Sequence, residues 1–286
     1  MTINIKSLYT LAIVAIMSIC SLQAQTLKTP APSPLQTIKQ AFALSDITVE
    51  YSRPSAKGRV IFGNVVPFEK IWRTGANGAT KITFGEDVEV EGNKVEAGTY
   101  ALYSIPNKKS WEVMLYKDLK LGGNTAEYKK ENEVLRFTVK PESMKTKVET
   151  FTINISDVTS NTSNIELSWE KTKISFKVVA DIDTKIMKNI DNAIAADTLA
   201  YFQAANYYYE NGKDLNKALE WVTKAFDKNP KAFWILQLKA KIEYKLKNYD
   251  AAIASAEKVI TLAKEAKNDD YVTMAEKLIA DAKKAK

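Results

Sequence analysis

The chain has 286 residues with 41 lysines and arginines, 34 aspartates and glutamates, and no histidine. The absence of histidine removes the commonest general base and metal ligand, which excludes Ser-His-Asp triads and histidine-bound zinc or iron. The single cysteine, Cys20, lies near the amino terminus, so the rest of the chain has no thiol nucleophile and no disulfide. The net charge of +7 is spread over both halves of the chain, a pattern that does not indicate nucleic-acid binding. The composition therefore favours a protein without catalytic residues, cofactors or a metal site.

Residues 1–24 have the pattern of a secretory signal peptide. One lysine precedes a largely apolar run that is too short for a stable membrane span, and the segment closes at the small residue Ala24. Cleavage is expected between Ala24 and Gln25. A lipid anchor at Cys20 is the alternative, and it is disfavoured because Ile19 is bulkier than such cleavage sites accept. The sequence thus predicts an exported protein, periplasmic or secreted, with no transmembrane span in the mature chain.

Residues 25–40 form a proline-rich lead-in, and residues 41–180 have the pattern of an all-β domain. Short runs alternate apolar and polar side chains with a period of two and are rich in Val, Ile, Thr, Tyr and Phe. A tight hairpin turn is expected at Gly92-Asn93. About ten strands with turn signals at this spacing predict an antiparallel sandwich, or a barrel, rather than a parallel sheet.

Three of the four arginines fall in one glycine-punctuated stretch, residues 51–80. Arginine presents a planar, permanently charged fork that holds a carboxylate, sulfate or phosphate through two parallel hydrogen bonds. Together with a flat aromatic ring and an amide, the stretch suits an anionic or sugar-like small ligand. The predicted binding residues are Arg53, Lys57, Arg59, Trp72, Arg73 and Asn77. The alternative is that each arginine pairs with a nearby carboxylate, such as Glu50 or Glu69, and braces a long loop.

Several motifs in this half resemble a bacterial secreted family known as domain of unknown function 2911. They are VEYSRPSAKGRVIFG, VPFEKIWRTGANGATKITF, AGTYALYSIP, WEVMLYKDLKLGG and LSWEKTKISFKV. The resemblance covers about residues 30–180. It implies an exported β domain that is often joined to helical repeats, and it assigns no catalytic residue.

Residues 184–286 have helical periodicity. Two segments, about 199–232 and 233–266, align with an offset that places Ala218 and Ala252 at the same position, 34 residues apart. This spacing resembles the tetratricopeptide repeat, a helix pair of that length. Flanking helices are expected near Thr184–Ala196 and Asp269–Lys284, where they would cap the array.

The resemblance to this repeat family also implies a groove. The first helix of each repeat faces the concave side of such an array, where a protein partner binds as an extended peptide or a helix. The groove residues so implied are Gln203, Tyr207, Trp234, Gln237, Lys241 and Tyr244. The alternative is that the aromatic members pack in the core.

Two functions follow from these patterns. The first is an exported binding or interaction protein, with an arginine-lined loop site in the β domain and helical repeats for protein contacts. The alternative is a carboxylate-based hydrolase or lyase acting on an acidic glycan, in which the arginines hold the acid group and Glu50, Glu69 or Tyr51 takes part in the chemistry.

Overall fold

The structure is a computed structural model that describes residues 29–196 and 200–286. The predicted signal peptide, with Cys20 and the expected cleavage position, lies outside the described residues. The chain divides into two compact units between Ala180 and Asp181.

The first unit contains two antiparallel sheets. The six-stranded sheet has the order β1-β2-β3-β6-β7-β8 and the four-stranded sheet the order β5-β4-β10-β9. The strands are β1 (Leu35–Phe42), β2 (Ser45–Ser52), β3 (Ala76–Phe84), β4 (Val88–Val90), β5 (Asn93–Val95), β6 (Gly98–Ile105), β7 (Trp111–Tyr116), β8 (Glu133–Val139), β9 (Glu142–Ser156) and β10 (Thr162–Val179).

The core of the β unit forms between these sheets, because the alternating strands turn their apolar faces toward each other. Ile47, Val49 and Tyr51 of β2 are buried on one side, and Phe151 and Ile153 of β9 on the other. The Tyr51 and Phe151 rings meet edge to face at 5.8 Å.

Three details differ from the sequence pattern. Strand β1 begins at Leu35, inside the expected lead-in, because its alternating residues pair along their whole length with β2. The runs SNIELSWE and TKISFKVV, which the alternating pattern predicts as two strands, form a single strand, β10, with a register irregularity at Glu170 (φ +51°). The hairpin turn lies at Glu91-Gly92, since Val90 already pairs with Asn93 and both turn residues have the positive φ that a tight hairpin requires.

The second unit contains six helices, so the predicted order of an all-β domain followed by an all-α domain is confirmed. The helices are α1 (Ile182–Ala195), α2 (Tyr201–Glu210), α3 (Leu215–Lys228), α4 (Phe233–Lys245), α5 (Tyr249–Glu265) and α6 (Asp269–Ala285). Asp181 caps α1 by accepting a hydrogen bond from Thr184 N, and Asp214 caps α3 in the same way.

The helical core follows from small residues at matching positions. Ala218 of α3 and Ala252 of α5 are both fully buried, which allows neighbouring helices to approach closely. Trp221 fills the space beside Tyr208, with the rings 4.8 Å apart. None of the helices in the described part of the chain has the length and apolar character needed to span a membrane.

Candidate functional site

Arg53 and Arg59 are held by backbone carbonyls and a hydroxyl. Arg53 follows β2 and donates from Nε to Phe151 O at 3.1 Å and from Nη2 to Thr152 Oγ1 at 2.8 Å, both on β9 of the other sheet. Arg59 donates from Nε to Ala56 O at 3.0 Å and from Nη2 to Ser55 O at 2.9 Å. Arg53 therefore ties the two sheets together, and Arg59 closes its own turn.

Lys57 and Asn77 lie at exposed positions with positive φ. The Lys57 N–H donates to Glu149 Oε1 at 2.6 Å, and this bond is the main reason that the pKa of Glu149 is lowered. Asn77 Nδ2 donates to Ser52 Oγ at 3.1 Å. Lys57 thus fastens its loop to β9, and Asn77 ties the start of β3 to β2.

Trp72 lies in the core. It is 8% exposed, and its indole N–H donates to Gly75 O at 3.0 Å. Its ring stacks on Trp169 at 6.1 Å and meets Phe151 edge to face at 5.2 Å. The ring is covered by other aromatic groups, so it packs the sandwich rather than presenting a face to a ligand.

Arg73 points the other way from Trp72, onto the outer face of the six-stranded sheet. The segment pairs with β6 through Trp72 and Ser104, and successive side chains of an extended segment alternate between faces. The guanidinium lies against Gly123 in the connection between β7 and β8. No described residue accepts a hydrogen bond from Arg73, and its Nε is enclosed without a partner.

Three tyrosines pack on this outer face. Tyr103, Tyr116 and Tyr128 have ring centroids 4.5–5.4 Å apart. Burial is the main reason that the pKa of Tyr103 is raised to about 12, with Tyr116 and Asp118 adding to the effect and Arg73 opposing it. The Tyr103 hydroxyl is therefore neutral at physiological pH and acts as a hydrogen-bonding group.

A cavity of about 730 Å³ opens beside this cluster. The connection from β7 to β8 supplies all of its lining, which includes two lysines, two carboxylates and two amides. The lining residues are Asp118, Lys120, Leu121, Asn124, Ala126, Glu127, Tyr128, Lys129 and Asn132.

The fourth arginine, Arg136 of β8, is fully paired. It donates from Nε to Glu133 Oε2 at 2.9 Å and also contacts Glu112 on β7. The hydrogen bond from Arg136 is the largest cause of the lowered pKa of Glu133.

In the helical unit, three of the predicted groove residues share one cavity. Trp234, Gln237 and Lys241 follow one another on a single face of α4, three and four residues apart, and line a cavity of about 340 Å³. The remaining lining residues come from α2, α4 and α6: Phe202, Asn206, Leu238, Tyr271 and Met274.

The other predicted groove residues lie elsewhere. Gln203 and Tyr207 line a neighbouring cavity of about 370 Å³ between α1 and α2, where the Tyr207 hydroxyl donates to Asp183 at 2.7 Å. Tyr244 packs against Tyr249 with the ring centroids 5.7 Å apart.

The residues of the glycan-cleaving alternative have individual structural partners. Glu50 pairs with Lys81 at 3.3 Å, and Glu69 accepts from Asn107 at 3.4 Å. The buried Tyr51 hydroxyl donates to Gln36 Oε1 at 2.8 Å and accepts from Ile153 N at 2.9 Å. Each group is thus engaged by a different neighbour.

Some lining residues were absent from the sequence prediction. Met274 and Tyr271 belong to α6, which was expected only to cap the array, and Asn206 lies one turn beyond Phe202. Met274 is 41% exposed, and this exposure becomes visible only after folding. Similarly, the approach of Gly123 to Arg73 carries no local sequence signal.

The fold defines a class: a two-unit protein in which an antiparallel β sandwich precedes a small helical array. Residues 33–178 match the family model described as "Protein of unknown function (DUF2911)". The chain therefore belongs to this family, and the match confirms the resemblance in the β half. No curated protein and no solved structure matches the chain.

Proposed function

We propose that this chain is an exported interaction protein that binds an extended polypeptide segment in the cavity between α2, α4 and α6, called here the helical groove. The β unit precedes the helical unit that contains this groove. The observation that carries the proposal is the buried, unpaired side-chain amide of Gln237.

Gln237 is a buried amide whose Oε1 has no hydrogen-bond partner among the described residues. Its side chain is 3% exposed, and neither Oε1 nor Nε2 pairs with a described residue. The other buried polar side chain of α4, Glu243, is satisfied by Ser255 Oγ at 2.7 Å and by Lys239. An unpaired buried amide costs about 1–3 kcal/mol, and a ligand that supplies both a donor and an acceptor recovers this free energy. A peptide backbone has both groups in each residue.

The other lining residues indicate which peptide fits. Lys241 is the charged residue among the cavity-lining side chains, one turn from Gln237, and it favours an acidic group. Trp234 is 42% exposed and Met274 41%, so two large apolar surfaces border the same cavity. A segment that carries an acidic residue beside a large apolar one would pair with Lys241 and also cover the apolar surfaces.

We also infer that the helix pairs α2–α3 and α4–α5 are tetratricopeptide-like repeats. The fully buried Ala218 and Ala252 stand at equivalent points of α3 and α5, and the second helices begin at Leu215 and Tyr249, again 34 residues apart. Export follows from the signal-like residues 1–24 and places the partner outside the cytoplasm.

A peptide-library selection against the full-length mature protein tests the groove. We expect enrichment of peptides that pair an acidic with a large apolar residue. Lys241→Glu should weaken the best peptide about tenfold or more, as for a central polar contact. The matched control is Lys264→Glu on α5, an exposed lysine outside the cavity, which should leave the affinity within about twofold.

Gln237→Leu separates binding from folding. Leucine has a similar size and removes the unpaired amide, so the variant should be as stable as the parent or more stable, and it should bind the peptide more weakly. Selection of no peptide, or equal binding by the parent and Lys241→Glu, would show that the groove is not a peptide site.

A further inference from the structure

The strongest unassigned feature outside the helical groove is the charge of Arg73. The other three arginines are engaged: Arg53 and Arg59 by carbonyl and hydroxyl oxygens, and Arg136 by two carboxylates. Arg73 is half-buried and donates to no described residue. Its Nε is enclosed, whereas its two terminal nitrogens are not among the enclosed unpaired atoms, so these terminal nitrogens can donate to an anion.

The turn at Gly122-Gly123 packs against the Arg73 side chain. Gly122 has φ +58°, which turns the chain so that its carbonyl accepts a hydrogen bond from the Tyr103 hydroxyl at 2.8 Å. A Cβ added at Gly123 would lie 3.0 Å from Nη1 of Arg73 and 3.4 Å from its Cζ. The missing side chain at Gly123 is therefore what allows the backbone to lie directly on the guanidinium.

Three of the nearby carboxylates have other partners. Glu133 and Glu112 bind Arg136, and Asp118 Oδ1 accepts from Lys120 N at 2.8 Å. The Tyr103 hydroxyl is neutral, as described above, and supplies no counter-charge. The positive charge of Arg73 is thus not balanced by an ion pair with any described residue.

The cavity beside the outer-face tyrosines borders the same turn. Leu121 and Asn124, which flank Gly122-Gly123, line it. Lys120 and Lys129 also line it, together with the amide of Asn132. The lysines and amides can donate to a small molecule that carries a negatively charged oxygen group, while Asp118 and Glu127, which also line the cavity, offset the charge of the two lysines.

We propose that Arg73, with Lys120 and Lys129, forms a binding site for a small oxyanion, namely a molecule bearing a carboxylate, phosphate or sulfate group. The oxyanion accepts hydrogen bonds from the terminal nitrogens of Arg73, and the rest of the molecule occupies the cavity of about 730 Å³. The site belongs to the β unit and does not depend on the helical groove.

The test is a titration of the full-length mature protein with phosphate, sulfate and citrate at constant ionic strength, with chloride as the reference. Binding is followed by isothermal titration calorimetry and by the shift in melting temperature. We expect saturable binding of at least one oxyanion, and the preferred one identifies the group that the site accepts. Arg73→Gln should weaken it about tenfold or more, as expected on loss of a charged hydrogen-bond partner. Arg59→Gln, an exposed arginine engaged by its own turn, should leave binding unchanged.

Gly123→Ala is the second variant, and it leaves the charge of Arg73 in place. The added methyl group displaces the end of the guanidinium, so this variant should also weaken the oxyanion severalfold while circular dichroism shows a folded β unit. If Arg73→Gln does not fold, the oxyanion affinity of Gly123→Ala tests the proposal in its place. An absence of saturable binding by all three ions, or binding by the folded variants at the parental affinity, would overturn the proposal.

Discussion

Glu133 and Arg136 show how a charged pair is stabilised at the margin of the outer face. Both oxygens of Glu133 accept from Arg136, and Oε1 also accepts from the Tyr128 hydroxyl at 3.1 Å. The Glu133 side chain is only 9% exposed, so solvent screens the pair weakly. Its lowered pKa means that the folded state favours the charged carboxylate, chiefly through Arg136 and against the opposing effect of burial.

The pH dependence of stability follows from the sign of this shift. A carboxylate whose pKa is lower in the folded than in the unfolded state stabilises the fold above its unfolded pKa of about 4.3, and the stabilisation is lost as the pH falls through the folded value. Glu133→Gln should lower the free energy of unfolding of the β unit by about 2 kcal/mol at pH 7. The difference from the parent should shrink below about pH 4.

Denaturation of the β unit at pH 7, 5 and 3.5 measures this effect. Glu89→Gln is the control, because Glu89 is exposed on β4 and the substitution changes the net charge equally. It should alter stability by no more than about 0.5 kcal/mol. A Glu133→Gln deficit that stays constant over this pH range would contradict the assigned role of the carboxylate.

At the scale of the element, the helices differ in how their first turns are satisfied. Asp214 accepts from Asn216 N at 2.9 Å and from Lys217 N at 3.2 Å at the start of α3. Asn248 occupies the equivalent position before α5, and its side chain makes no capping bond. The two equivalent helices therefore provide an internal comparison of capping.

Asp214→Ala should lower the free energy of unfolding of the helical unit by about 1 kcal/mol, because two N–H groups of the first turn lose their acceptor. Asn248→Ala should cost only a few tenths of a kcal/mol, since no capping bond is lost. Urea denaturation followed by far-ultraviolet circular dichroism measures both. Equal losses for the two variants would show that the cap of α3 contributes nothing specific.

At the scale of the whole molecule, each unit has its own apolar core. In the β unit the core lies between the two sheets, and in the helical unit it includes Trp221, Val222, Leu236 and Ile242. A unit that buries its apolar residues internally retains its main stabilising contribution when it is separated.

We expect the fragments 29–180 and 181–286 to fold separately. Each should give a cooperative calorimetric transition, with the strand and helix content expected from the structure in circular dichroism. The full-length mature protein is the reference. A fragment that melts without a cooperative transition would show that its stability depends on the other unit.

The sequence predicted those parts of the fold that depend on local periodicity. Alternation over residues 41–180 predicted the strands, and the 34-residue offset between Ala218 and Ala252 predicted the positions of α3 and α5. The edge strand and the positions where strands end were predicted less well. The edge strand β1 has a partly solvent-exposed pattern, and β10 continues through a bulge at Glu170 that looks like a strand end in the sequence.

Side-chain roles were harder to predict than elements. Trp72, Arg73 and Asn77 are close in the chain, yet they lie in the core, on the outer face and at the exposed start of β3 respectively. Alternation along an extended segment separates neighbours in this way, and the surrounding groups come from distant strands. Trp169 covers Trp72, and Gly123 lies on Arg73.

The order of the elements, the division into two units and the absence of histidine chemistry are properties of composition and short-range spacing, so they can be derived from the chain alone. The state of each polar group depends instead on long-range packing. Arg53 meets a carbonyl and a hydroxyl oxygen of β9, whereas Arg73 and Gln237 reach places where no described residue completes their hydrogen bonds. Chemically similar side chains thus acquire different roles because the fold supplies partners to some and leaves others available to a ligand.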